Sequence, residues 1–174
     1  FMYNSQRDSI GVALKKLGYS LNTRNLDELN AARDALIEQK PLVLSYLGDN
    51  IKDSMIAGEA ALAVMYSGDA VYCMSYNEDL AYAVPDEGSN YWFDGIVIPK
   101  TCQNKEAALK FIDFLCRPDI AKMNFDYIHY CSPIQAVADG LSEEEAALST
   151  LNPSEADTAN CEFFHDVSDC MSLY

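Results

Sequence analysis

Four short apolar runs constrain the fold of this chain more than any other feature: residues 41–47 (PLVLSYL), 59–66 (EAALAVMY), 80–85 (LAYAVP) and 91–99 (YWFDGIVIP). Each is short for a helix and is bounded by turn residues or a helical stripe, the pattern of a buried strand. Helical spacing fills the gaps between them. Ser5 precedes a stripe at Ile10, Ala13, Leu14 and Leu17 that ends at Gly18. Asn25-Leu-Asp-Glu28 repeats the capping-box pattern before Leu29, Ala32, Leu36 and Ile37, with Pro41 as a stop. A third helix is expected over 49–57, closed by Gly58, and a fourth opens at Ser67-Gly-Asp69 and reaches about Tyr76. Strands alternating with helices predict an α/β fold, a mostly parallel sheet flanked by helices.

The second half lacks such runs. From Asn104 a helix carries Leu109, Ile112 and Leu115 on one face, and Pro118 starts a shorter one. Further helices are expected over 142–148 and from Glu162 to about Met171, and residues 149–160, rich in Thr, Ser, Asn and Pro, read as a surface loop. With 174 residues, 49% of them apolar, the chain has material for one domain or a little more. It opens without Met and stops without a charged tail, so a piece of a longer chain is expected. No apolar run approaches the roughly 20 residues of a membrane span, and no basic-then-apolar signal segment opens it.

Charge narrows the partners. Lys and Arg number 12 against 27 Asp and Glu, a net −15, which argues against nucleic acid because a phosphate backbone demands a basic surface. A cationic partner is favoured, although acidity also serves solubility alone. Six cysteines are scattered without a C-x-x-C pair, and His129 and His165 form no cluster with them, so neither metal nor cofactor is expected. The apolar helical setting of several cysteines predicts reduced core residues for most of them. There is no G-x-S-x-G, no Gly-rich phosphate loop and no H-E-x-x-H, which favours binding over turnover and a protein that is not an enzyme.

The only tryptophan of the chain lies in Tyr91-Trp-Phe-Asp94. In an extended strand Trp92 and Asp94 share one face, and Tyr91 and Phe93 the other. An indole beside a carboxylate suits an alkylammonium: the ring attracts the cation and covers its methylenes, and the carboxylate accepts its N–H donors. The alternative is a core tryptophan, with Asp94 forming a turn beside Gly95. Tyr66 ends a run just before a helix, where ligands sit in open α/β sheets, or is a plain strand-end tyrosine. Asp8 reads as the third residue of a capping box opened by Ser5. The stretch 127–133 (YIHYCSP) adds Tyr130 beside His129, a surface or core histidine rather than a catalyst.

The segments ALKKLGYSLN (13–22), GEAALAVMYSGDAV (58–71), VPDEGSNYWFDGIVIPK (84–100) and NKEAALKFIDFLCRPDIAK (104–122), in this order, resemble the C-terminal portion of the spermidine/putrescine-binding proteins of ABC transporters. The resemblance covers essentially the whole chain. It implies a periplasmic-binding-protein-like (type II) fold of two α/β lobes joined by crossing strands, closing outside the cytoplasm over a linear polyamine that passes to a membrane permease. Residues 1–92 then correspond to the second lobe, 93–138 to the crossover and return segment of the first, and 139–174 to the second lobe again, with most of the first lobe absent.

By the same resemblance, Trp92 and Asp94 match a pocket tryptophan and an amine-binding aspartate, Asp8 matches a pocket acid, and Tyr130 a pocket tyrosine. Tyr66 stands where several relatives carry Trp, Ser5 where some carry a second acid, and Phe164 in place of a polar amide. Either putrescine or spermidine fits this class. A related domain for another solute, or for sensing, is the alternative. Membrane attachment would come from a lipid anchor or fusion outside these residues. The apolar face of the helix at 105–115 would be exposed in isolation, which predicts self-association as a homo-oligomer.

Overall fold

The computed structural model describes residues 1–174. Its sheet is a single parallel pair, β1 (Met2–Tyr3) beside β2 (Tyr46–Leu47), with Met2 opposite Tyr46 and Tyr3 opposite Leu47. The expected run 59–66 lies along the other edge of β1, where the N-terminal amine donates to the Leu62 carbonyl (2.6 Å) and the Val64 N–H to the Phe1 carbonyl (3.1 Å). These bonds do not make it a strand. The runs 80–85 and 91–99 form no strand either, because no backbone ladder runs along their length. The one exception is a parallel bridge of Asn90 with Glu162.

The helices follow their local signals closely. Helix α1 (Gln6–Lys16) is capped by Ser5, α2 (Leu26–Gln39) by Asn25, α3 spans Ile51–Ile56 and α4 spans Ser67–Tyr76. Asn25 accepts from the Asp27 N–H (2.9 Å), but the expected reciprocal box is not made: the Asn25 N–H donates to the Thr23 hydroxyl, which itself donates to Glu28. Helices α5 (Lys105–Leu115), α6 (Pro118–Ile128), α7 (Gln135–Ala138) and α8 (Glu143–Ala147) complete the second half, with Pro118 opening α6 where its missing N–H costs nothing. No helix is long and apolar enough to cross a membrane.

Two expectations in the C-terminal part are overturned. The loop 149–160 contains a short helix, α9 (Glu155–Thr158), held by a capping box between Ser154 and Asp157. The expected α-helix from Glu162 to about Met171 is absent, and only a short 3-10 helix, Met171–Leu173, closes the chain. The Asn22 amide donates to the Phe163 carbonyl (2.8 Å) and its oxygen accepts from the His165 N–H (2.7 Å), so side-chain partners take the groups an intrahelical ladder would need. Glu162 accepts from Lys15, Ser20 and the Leu21 N–H, fastening this segment to the end of α1.

Three small clusters make the core. Ala13 and Leu14 of α1 meet Leu29 and Ala32 of α2; Ile51 and Met55 of α3 meet Cys73 of α4; Ala121 and Phe125 of α6 meet Val137 and Leu151, with Val71 packed alongside. Cys73 is the only buried cysteine and Cys116 and Cys131 are exposed, so most cysteines are not core residues as expected, although all six are free thiols. Helix α5 buries none of its residues, and Phe111 remains 60% exposed.

The bridge at Asn90 also depends on Gly88. Its φ is +92°, and a Cβ there would lie within 2.9 Å of three Asn160 atoms, so both conformation and space require glycine. Gly88→Ala should therefore destabilise the fold by about 3 kcal/mol, toward the top of the ordinary range for single substitutions. Urea denaturation checks this; a change within experimental error would show that the bridge contributes nothing.

Candidate ligand site

Four aromatic rings from separate stretches meet edge to face. Tyr3 lies 4.8 Å from Tyr66, Tyr66 lies 5.0 Å from Trp92, and Trp92 lies 6.1 Å from Tyr130, with interplanar angles of 66–67°. Each ring is placed by a different device. Tyr3 ends β1, and Tyr66 is the extended N-cap residue of α4. Trp92 follows the Asn90 bridge. Tyr130 follows His129, whose left-handed φ of 58° ends α6 and turns the chain.

Asp8 completes the group because the capping box at α1 is only half made. The Ser5 hydroxyl accepts from the Asp8 N–H (3.5 Å), whereas the Ser5 N–H donates to the Tyr3 carbonyl (2.8 Å), leaving the Asp8 carboxylate uncommitted to the cap. The Tyr66 hydroxyl donates to it at 3.4 Å. Asp8 has no cationic partner. Neighbouring Arg7 turns away, its guanidinium lying between the Phe164 and Tyr174 rings at 4.5 and 4.6 Å. Phe164, standing where the resemblance expects a polar amide, is thus occupied in packing. Asp69 in the first turn of α4 does have a partner, Lys52, at 3.1 Å.

The structure therefore brings together Asp8, Tyr66, Trp92 and Tyr130. Asp94 is exposed and joins none of these contacts. Residues 91–99 contain no turn and Gly95 has no positive φ, which leaves the turn explanation of Asp94 without its geometry. Trp92, at 40% exposure, is not a core residue. The side-to-side alternation is visible in its neighbours, since Tyr91 and Phe93 both lean on Phe163, with ring centroids 3.9 and 5.5 Å away. Phe93 is nonetheless 81% exposed and is not turned into the protein.

The field at the rings is negative. Burial, followed by the charge of Asp8, pushes the Tyr66 phenol up to about 12. Burial first and the Asp69 charge second raise Tyr130, and burial with the charges of Asp49, Asp69 and Asp8 raises Tyr3. The burial behind these shifts opposes a charge of either sign, whereas the contributions of Asp8, Asp49 and Asp69 favour a cation at the same place. A concavity of about 420 Å³ lies elsewhere, lined by Lys15, Ser20, Asn160 and Glu162, but Lys15 already bonds Asn160 and Glu162 there. Sequence reasoning missed Tyr3, because a strand of two residues has no periodicity to detect.

A model of bacterial extracellular solute-binding proteins matches residues 1–151. The chain belongs to this family. Among solute-binding relatives, the spermidine/putrescine-binding periplasmic protein of Escherichia coli (strain K12) is 36% identical over 168 residues, 97% of this chain and 48% of that protein. The putrescine-binding periplasmic protein SpuD of Pseudomonas aeruginosa is 30% identical over 158 residues, 87% of this chain and 43% of that protein. The solved structure of the spermidine/putrescine ABC transporter substrate-binding protein PotD from Streptococcus pneumoniae superposes with a TM-score of 0.87 at 32% identity, covering 99% of this chain and 55% of that one. A putative spermidine/putrescine ABC transporter from Listeria monocytogenes gives 0.87 at 37%, with the same coverage. The fold is periplasmic-binding-protein-like, and the chain spans about half the length of the curated relatives it matches.

The raised Tyr66 phenol has a signed consequence. Its folded pKa of about 12 exceeds the ordinary 10.0, so the native state retains a proton that the unfolded chain loses. The stability it contributes is complete below pH 10 and is lost as pH rises through about 12. Urea denaturation across that window should show a smaller loss for Tyr66→Phe than for the parent, and equal losses would remove Tyr66 as the cause.

Proposed function

We propose that the chain is part of the extracytoplasmic solute-binding component of an ABC importer. It binds a linear polyamine, putrescine or spermidine, and hands it to the permease without chemical change. One observation carries this reading: a row of aromatic side chains, Tyr130, Trp92 and Tyr66, ends at a carboxylate, Asp8, that reaches the Tyr66 hydroxyl and has no Lys or Arg partner. An alkylammonium satisfies both halves of that arrangement, through cation–π attraction and charge-assisted hydrogen bonds. Asp94, exposed on the segment that carries Trp92, serves as the acid for the other end of the ligand. The names of the relatives from Escherichia coli and Pseudomonas aeruginosa support the same ligand class.

The lobes follow from the same reading. Residues 1–92 and 139–174 form the second lobe, in keeping with the ties of Glu162 to Lys15, Phe163 to Asn22 and Asp169 to Arg24. Residues 93–138 belong to the passage into the first lobe, whose remainder covers the apolar side chains of 93–98 and α5. Hydroxyl-radical footprinting of the full-length protein should then find Phe111 protected, and reactivity equal to that of an unfolded chain would count against this division.

The ligand assignment is tested by calorimetry on the full-length protein with putrescine, spermidine and amino acids. Asp94→Asn should weaken polyamine binding by about 2 to 5 kcal/mol, the cost of leaving one partner of a desolvated charge pair alone. Trp92→Leu should cost about 1 to 2 kcal/mol, since Leu keeps apolar cover and loses only the cation–π contribution. Unchanged polyamine affinity in Asp94→Asn would remove Asp94 from the site, and tight binding of an amino acid instead would favour a related domain for another solute.

A further inference from the structure

We propose that Gly68 is a positioning residue for the ligand site: by carrying no Cβ it lets the Tyr130 ring lie against the first turn of α4, and so sets where that ring stands relative to Trp92. This rests on the aromatic cluster being the ligand site. Gly68 is buried in α4, and its φ is not positive, so what glycine supplies here is room rather than backbone freedom. A Cβ at this position would lie within 2.6 Å of three Tyr130 ring atoms. Such an approach forces something to move.

Tyr130 has little freedom to give way. On its N-terminal side His129 is held in the left-handed conformation that ends α6. On its C-terminal side the Cys131 thiol donates to the carbonyls of Thr150 and Leu151, at 3.3 and 3.2 Å. Trp92 stands 6.1 Å from the ring. Whether the ring swings about its own side-chain bonds or the segment shifts against these ties, its relation to Trp92 changes, and with it that to any cation held between them. Helix propensity alone would favour alanine over glycine within α4, so the local preference and the ring contact pull in opposite directions. That opposition makes the sign of a substitution informative.

Gly68→Ala is made in the full-length protein with and without Tyr130→Ala. Thermal unfolding without ligand reads the contact itself. Gly68→Ala should lower the midpoint when Tyr130 is present, and leave it unchanged or raise it when Tyr130 is alanine; equal shifts in both backgrounds overturn the coupling. Should Gly68→Ala not fold, recovery of folding by Tyr130→Ala upholds the coupling, and failure of both variants overturns it. Calorimetry with putrescine and spermidine reads the site. Affinity should fall by at least about tenfold with Tyr130 present and by less than about twofold without it, the mark of residues acting through one contact. Unchanged affinity in Gly68→Ala, or equal losses in the two backgrounds, overturns the positioning role. A parent that binds neither amine removes the proposed function and the ligand role of Gly68 together, while the thermal comparison still decides the packing of Gly68 on Tyr130.

Discussion

Edge-to-face contact among Tyr3, Tyr66, Trp92 and Tyr130 holds the site together, because these rings come from four stretches with no shared element of secondary structure. Each such pair contributes about 0.5–1.5 kcal/mol beyond the area it buries. Their energetic weight is modest, yet they set the relative placement of β1, the start of α4, the segment after Asn90 and the end of α6. The acid lies at one end of the row, where the Asp8 carboxylate meets the Tyr66 hydroxyl at 3.4 Å rather than closing its own helix cap.

Elsewhere the fold is held by side chains that stand in for absent ladders. With a two-stranded sheet, most extended segments must find partners for their peptide groups by other means. Asn22 serves both Phe163 and His165, Glu162 takes Lys15, Ser20 and the Leu21 N–H, and the Tyr91 N–H reaches the Glu162 carbonyl at 3.0 Å. These ties join residues 15–22 and Tyr91 to the segment 162–165. They bring the segment that carries Trp92 to the same side of the molecule as α1, which carries Asp8.

Helices were legible in the sequence because their signals are local. A cap residue, a stripe of apolar positions and a terminating Gly or Pro lie within one stretch, and α1, α2, α4, α5 and α6 follow such signals to within a few residues. Even α9 carried its signal, the pair Ser154 and Asp157, inside a segment whose composition reads as loop. The strands behaved differently. Apolar character marks a segment as suited to burial but does not supply a ladder partner, and residues 80–85 and 91–99 have no ladder along their length. A helix was expected from Glu162 to about Met171, but Phe, His, Asp, Val, Ser and Cys are weak helix formers, and Asn22, 141 positions away from Phe163, claims backbone groups of this segment.

The sequence by itself determined the helical elements, the acidic balance and the residue types of the candidate site: an indole, tyrosines and carboxylates. These follow from composition and short-range spacing, which need no knowledge of the fold. Only the tertiary structure decided which of those residues meet. It joined Tyr66 to Asp8, 58 positions apart, brought in Tyr3, and left Asp94 exposed. It also assigned Gly68 a neighbour in Tyr130, because steric room is a property of two segments in contact, and neither segment contains the other's position.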